Sequence, residues 1–152
     1  MRRLRVYIDT SVIGGCIDEE FAEASNALLQ QARRGEILLL ASSLLVDELV
    51  DAPPQVQQVL LDLPESSIAR VELDEEADRL ARAYVEAGVL GEASLDDARH
   101  VAIACVHDAD VIVSWNFQHI VQYRRIRGFN AVNLREGYKS IDIRSPREVV
   151  QL

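Results

Sequence analysis

Short apolar runs recur along this chain at 4–8, 37–41, 68–73, 111–114 and 131–134, and most of the segments between them carry helical spacing. This alternation constrains the fold more than anything else in the sequence. Strands this short and this largely apolar belong inside a sheet covered on both faces. Joining them through helices requires right-handed crossovers and parallel strands. The expectation is one domain over 1–152, a three-layer α/β/α fold with a central, mainly parallel five-stranded sheet.

The punctuation agrees. Residues 19–34 have apolar positions at Phe21, Ala24, Leu28 and Ala32, with Gly35 as a stop. Ser42 and Ser43 can cap a helix to about 51, which Pro53-Pro54 ends, and Pro54 suits the first turn of another helix to about 63. Asp74 caps a helix that Gly88 follows, and Ser94 opens one to about 107. Ser145-Pro146-Arg147-Glu148 reads as a cap, a first-turn proline and a capping-box glutamate.

Within this frame Asp9 stands out. It ends the first strand, in Val6-Tyr7-Ile8-Asp9-Thr10-Ser11, and open α/β sheets bind ligands outside the carboxyl ends of their strands. Two other acids could meet it. Glu48 lies on the Leu44 side of a largely apolar helix. Asp97, with Asp96, opens the helix from Ser94, where capping and the helix dipole already account for an acid. Ser114-Trp115-Asn116-Phe117 follows the fourth strand; Asn116 suits either a turn or a metal or phosphate contact. Asp108 and Asp110 precede that strand, at the opposite end of the sheet, and are left out of the site.

The histidines form no triad or zinc set. His100, three residues after Asp97, is a core or supporting residue, His107 a cation at a helix end, His119 a loop residue. No glycine-rich phosphate loop, nucleophile elbow or dinucleotide fingerprint occurs. Cys16 and Cys105 read as buried thiols in a reducing cytoplasm. No apolar run is long enough for a membrane helix, and no signal peptide is recognisable. The net charge of −9 argues against non-specific nucleic-acid binding, yet Lys139 is the only lysine among 16 basic residues, and the arginines cluster at 2–5, 33–34 and 124–127. Oxygen donors without thiolate or imidazole suit Mg²⁺ or Mn²⁺, and a divalent ion would relieve the repulsion among Asp9, Glu48 and Asp97. The chemistry that follows is metal-assisted phosphodiester hydrolysis.

Four segments in order resemble the PIN domain, the nuclease fold of RNA-processing enzymes and of type II toxin–antitoxin ribonucleases. They are Ile8-Asp9-Thr10-Ser11-Val12-Ile13, Leu44-Leu45-Val46-Asp47-Glu48-Leu49, Asp97-Ala98-Arg99-His100-Val101-Ala102-Ile103-Ala104 and Asp110-Val111-Ile112-Val113-Ser114-Trp115-Asn116-Phe117. The resemblance implies that Asp9, Glu48 and Asp97 are catalytic, metal-binding acids, with Asn116 as a fourth ligand. It places Thr10, Ser11, Ser114 and His100 around the metal or substrate. It further implies an RNA substrate, a homodimer and a small antitoxin near the acidic cleft. The family usually carries an acid where Asn116 stands, so a weakened or inactive PIN-fold module that binds RNA or protein is the alternative. A phosphotransfer enzyme with its aspartate after the first strand would need a late lysine near the phosphate, and Lys139 is outside the required context.

Overall fold

β1 (Leu4–Ile8) is the centre of a five-stranded sheet of order β3-β2-β1-β4-β5, in which every neighbouring pair is parallel. β2 (Ile37–Ser42) and β3 (Ile68–Val71) lie on one side of it; β4 (Val111–Val113) and β5 (Asp142–Arg144) lie on the other. The structure is a computed structural model and describes residues 2–150.

Alternation along the strands sorts the core into two layers. Tyr7, Leu40, Ile112 and Ile143 face α5 (Glu75–Glu86), α6 (Leu95–Val106) and α7 (Tyr123–Arg135). Val6, Ile8, Leu39, Val111 and Val113 face the other layer. That layer contains α1 (Thr10–Gly15), α2 (Ala22–Arg33), α3 (Ser43–Leu49), α4 (Pro54–Leu61) and α8 (Pro146–Val150). The three-layer α/β/α expectation is met. The chain builds β1, β2 and β3 in one direction and then returns to the far side of β1 for β4. The strand order therefore reverses between β1 and β4, and the crevice at their carboxyl ends is the sheet's topological switch point.

The fifth strand is not where the sequence places it. Residues 131–134 lie inside α7, and β5 is Asp142–Arg144. Ala131-Val132-Asn133-Leu134 resembles a strand only when cut from its neighbours. Over 123–135 the buried residues Phe129, Val132 and Asn133 recur at helical spacing, and Gly128 masked that period. A Cβ at Gly128 would lie 2.9 Å from the Val89 side chain, so the glycine marks close helix packing rather than a break. β5 is a three-residue edge strand with Asp142 and Arg144 flanking Ile143, a polar composition that hides it.

Directly after Asp9, Thr10-Ser11 opens the six-residue helix α1. Most caps occur as expected: Ser42 Oγ accepts from the Leu45 N–H, Asp74 from the Ala77 N–H, and Glu148 reaches back to the Ser145 N–H. Gly35 takes a positive φ of 77° after α2, a conformation that favours glycine. The Ser94 capping box does not form: neither side chain caps α6, and Asp97 is engaged elsewhere. Cys16 is buried and Cys105 partly exposed; both are free thiols. Among the described residues no helix is long and apolar enough to cross a membrane.

Candidate functional site

Asp9 occupies the switch point between β1 and β4. It is only 5% exposed, and both of its oxygens are held by hydroxyls. Ser11 Oγ donates to Oδ1 at 2.6 Å, and Ser114 Oγ donates to Oδ2 at 2.6 Å. Each serine is fixed in turn by backbone: the Trp115 N–H donates to Ser11 Oγ at 2.9 Å, and the Asn116 N–H donates to Ser114 Oγ at 2.9 Å. Thus the ends of β1 and β4 are stitched through one carboxylate. Burial raises the Asp9 pKa and the Asp97 charge adds to that rise, while His100 and the two serines oppose it. Both hydrogen bonds come from neutral donors, so a cation bound beside the carboxylate would favour its charged form against the cost of burial.

Glu48 projects from α3 and is held twice. Thr10 Oγ1 donates to Oε1 at 2.6 Å, and His100 Nε2 meets the same oxygen at 2.6 Å. Burial pushes the Glu48 pKa up, but the bonds from His100 and Thr10 prevail and hold it below the ordinary value. An ionised carboxylate only accepts, so Nε2 is the donor. Behind it, His100 Nδ1 lies 2.6 Å from the Tyr7 hydroxyl, which donates to Ser42 Oγ at 3.0 Å. The result is a buried relay of Ser42, Tyr7, His100 and Glu48 from the core to the rim. The sequence placed His100 beside Asp97; the structure gives it to Glu48. From the sequence Ser42 is only a helix cap, and Tyr7 has no assigned role. A tyrosine between Val6 and Ile8 of the central strand needs a buried partner for its hydroxyl, and that was the available signal.

Asp97 stands at the first turn of α6, and its Oδ2 lies 2.8 Å from His119 Nδ1. His119 therefore joins the site, although nothing in its sequence context marked it. Asn116 does what turns ask of asparagine: its Oδ1 accepts from the N–H groups of Gln118 and His119, at 3.2 and 2.9 Å. As placed, that oxygen faces the loop's own amides rather than the carboxylates.

The structure thus gathers Asp9, Glu48 and Asp97 at one edge, with Thr10, Ser11, Ser114 and His100 supporting them. It does not close them into a cage. Among the described residues no group of three His, Cys, Asp or Glu side chains is close enough to enclose a metal ion alone. A hard cation such as Mg²⁺ suits the acids nonetheless. It keeps several waters and takes one or two carboxylates plus substrate oxygens rather than an all-protein shell.

No protein-family model matches the chain, and no curated protein matches it in sequence. Solved structures do. A chain of the VapBC2 complex from Rickettsia felis, bound to a DNA fragment from its promoter, matches with a TM-score of 0.59 at 16% identity; the match covers 93% of this chain and 98% of that one. The DNA-bound VapBC complex from Salmonella typhimurium gives 0.57 at 16% identity, covering 94% and 98%. FitAcB from Neisseria gonorrhoeae gives 0.56 at 18% identity, covering 93% and 98%. These are toxin–antitoxin complexes, and at such identities the likeness concerns the fold. On that ground, over nearly its whole length, this chain has the PIN-domain fold of the toxins in such complexes.

Proposed function

We propose that this protein is a Mg²⁺- or Mn²⁺-dependent endoribonuclease of the toxin type, cytoplasmic and homodimeric, and controlled by a small antitoxin protein. The observation that carries the reading is Asp9, a carboxylate buried at the sheet's switch point, held by neutral hydroxyls, with Glu48 and Asp97 at the same edge. Asp9, Glu48 and Asp97 would hold the metal through oxygen, with water completing its shell. When bound, the metal supplies an acidified water and charge stabilisation at the scissile phosphate.

The chain's own residues do the positioning. Ser11 and Ser114 fix both Asp9 oxygens and leave each a further lone pair for a ligand. Thr10 and His100 hold one Glu48 oxygen and leave the other for a cation or its waters. His119 does the same for Asp97. Such supporting partners set the direction and basicity of a ligand.

One observation favours a second reading, a PIN-fold module that binds without cutting. Where the resemblance leads one to expect an acid, Asn116 brings no charge, and its oxygen is committed to a turn. Cleavage of a mixed RNA pool with added Mg²⁺ or Mn²⁺, by the wild type and Asp9→Asn, decides between them. Divalent-dependent cutting that disappears in Asp9→Asn supports the nuclease. RNA binding with no cutting at any metal concentration supports the module, and equal cutting by both proteins places the chemistry elsewhere.

A further inference from the structure

The chain is strongly acidic, so binding RNA requires a local exception near the site. Most basic side chains are already committed or distant. Arg2 and Arg5 bond Asp110 and the carbonyls of 107 and 108 at the amino ends of the strands. Arg82 and Arg99 pair with Asp78 and Asp96, Arg144 with Asp142, and Lys139 with Asp108. Arg33 and Arg34 end α2, just before β2 begins, on the far edge. No carboxylate lies within ion-pairing distance of Arg124, Arg125 or Arg127 among the described residues. Arg3, Arg33, Arg34, Arg70, Arg79 and Arg147 also lack one, but only the 124–127 group follows directly on the loop that carries Asn116 and His119. That group begins α7, on the chain's first return from the β4 end of the site. Arg125 is directed inward to the Val89 carbonyl, whereas Arg124 and Arg127 are exposed.

The same segment displays two large aromatics to solvent. Phe117 is 48% exposed and Tyr123 is 70% exposed. Phe117 is braced edge-on by Trp115, centroids 6.1 Å apart, and Trp115 is stacked on Phe21 at 4.1 Å. Arg127 lies over the Tyr123 ring at 5.7 Å and donates to its hydroxyl at 3.1 Å. The connection between the two aromatics is tied down by hydrogen bonds. The Asn116 carbonyl accepts from the N–H groups of Ile120 and Val121, and His119 ties the loop to Asp97. Exposed aromatics held next to unpaired arginines, one loop away from clustered carboxylates, match the requirements of a single strand: rings for bases, guanidinium groups for phosphates.

We infer that residues 116–127 form the single-stranded RNA track of this protein, with Phe117 and Tyr123 stacking bases and Arg124 and Arg127 contacting phosphates on the strand leading into the site. This rests on the ribonuclease reading for its substrate but predicts binding that needs no metal. The test is fluorescence anisotropy of labelled oligoadenylate with the full chain in EDTA, where divalent-dependent cleavage cannot occur. Tyr123→Ala and Phe117→Ala should each weaken binding about 5- to 150-fold, and Tyr123→Trp should restore it, because stacking needs only a ring. Arg124→Ala with Arg127→Ala should lower the slope of log affinity against log salt by about 1.4, two phosphates on a single strand. All four positions are exposed, so circular dichroism and melting of the variants should match the wild type. Wild-type affinity and slope in every variant would overturn the track. So would a preference of this surface for a polyglutamate peptide over RNA, which would make it a protein-docking face. Variants that lose binding as predicted in a wild type that never cuts RNA support the track while refuting the nuclease. A cutting wild type whose variants keep their RNA affinity refutes the track alone.

Discussion

Two aspartates at opposite ends of the β1–β4 pair have nearly inverse surroundings. Asp110, just before β4, accepts from the Arg5 N–H at 2.7 Å and from the Arg2 guanidinium at 3.0 Å. Burial pushes its pKa up, but these partners hold it below the ordinary carboxylate value. Asp9, just after β1, is bonded among the described residues by two serine hydroxyls and no cation, and burial raises its pKa. The amino edge also has a cavity of about 360 Å³, lined by Asp108, Asp110, Lys139 and their neighbours. Yet its acids are already paired with Arg2 and Lys139. That cavity is therefore lined by charges that already have partners. The informative property is a buried charge that the fold has organised and left uncompensated.

The largest effect that could break this comparison is on cleavage. Asp9→Asn should reduce divalent-dependent RNA cleavage more than about hundredfold, beyond the 10–100-fold typical of losing a supporting partner. Asp110→Asn should leave cleavage unchanged. Stability should run the other way. Asp110→Asn loses charge-assisted bonds and should destabilise by about 1–2 kcal/mol, roughly 2–8 °C in melting temperature. Asp9→Asn removes an uncompensated buried charge and should leave the metal-free protein as stable or more so. Saturating Mg²⁺ or Mn²⁺ at about 100 times its Kd should stabilise the wild type by about 2.7 kcal/mol and Asp9→Asn far less. Equal stabilisation of the two by the metal would place its site away from Asp9.

The next effect concerns the hydroxyls. Ser114→Ala removes one of the two donors that orient Asp9 and breaks the link from β1 to β4. A loss of about 10–100-fold in metal affinity or cleavage is expected, with the fold retained. Isothermal titration with Mn²⁺ measures the binding part independently of catalysis. An unchanged affinity and rate would show that Asp9 needs no such orientation.

The sheet and the acids were legible because both depend on short-range pattern. Apolar runs gave four strands, and the position of Asp9 after the first pointed to the candidate site. Glu48 and Asp97 followed from the elements that contain them. What could not be read depends on pairing across the fold. His100 turns to Glu48 and not to its own helix neighbour Asp97, because the direction of a buried imidazole is set by Tyr7 of β1. His119 reaches Asp97 from a loop without periodicity. The edge strand β5 was hidden by its charges, and α7 by Gly128 in its middle. Asn116 shows the same limit from another side. Sequence allows it as ligand or as turn former, and only the loop's geometry reveals that its oxygen accepts from two following amides.

The smallest effect is in the acid dependence of stability, where the two aspartates should oppose each other. Asp110 has a folded pKa below its unfolded value. Its contribution is therefore fully present above the unfolded carboxylate pKa of about 3.9 and is lost as pH falls through the folded value. Asp9 has a folded pKa above its unfolded value, so it binds a proton more readily in the native state. Its destabilisation is greatest near neutral pH and is relieved as pH falls through the raised pKa, before Asp110 begins to titrate. In the absence of divalent metal, the melting temperature of Asp9→Asn should therefore exceed the wild type most at neutral pH, and the difference should shrink on mild acidification. For Asp110→Asn the deficit should persist across that range and vanish only at the acid end, where wild-type Asp110 is itself protonated. Curves for the two variants that ran parallel to one another would mean that Asp9 is not the uncompensated charge its surroundings indicate.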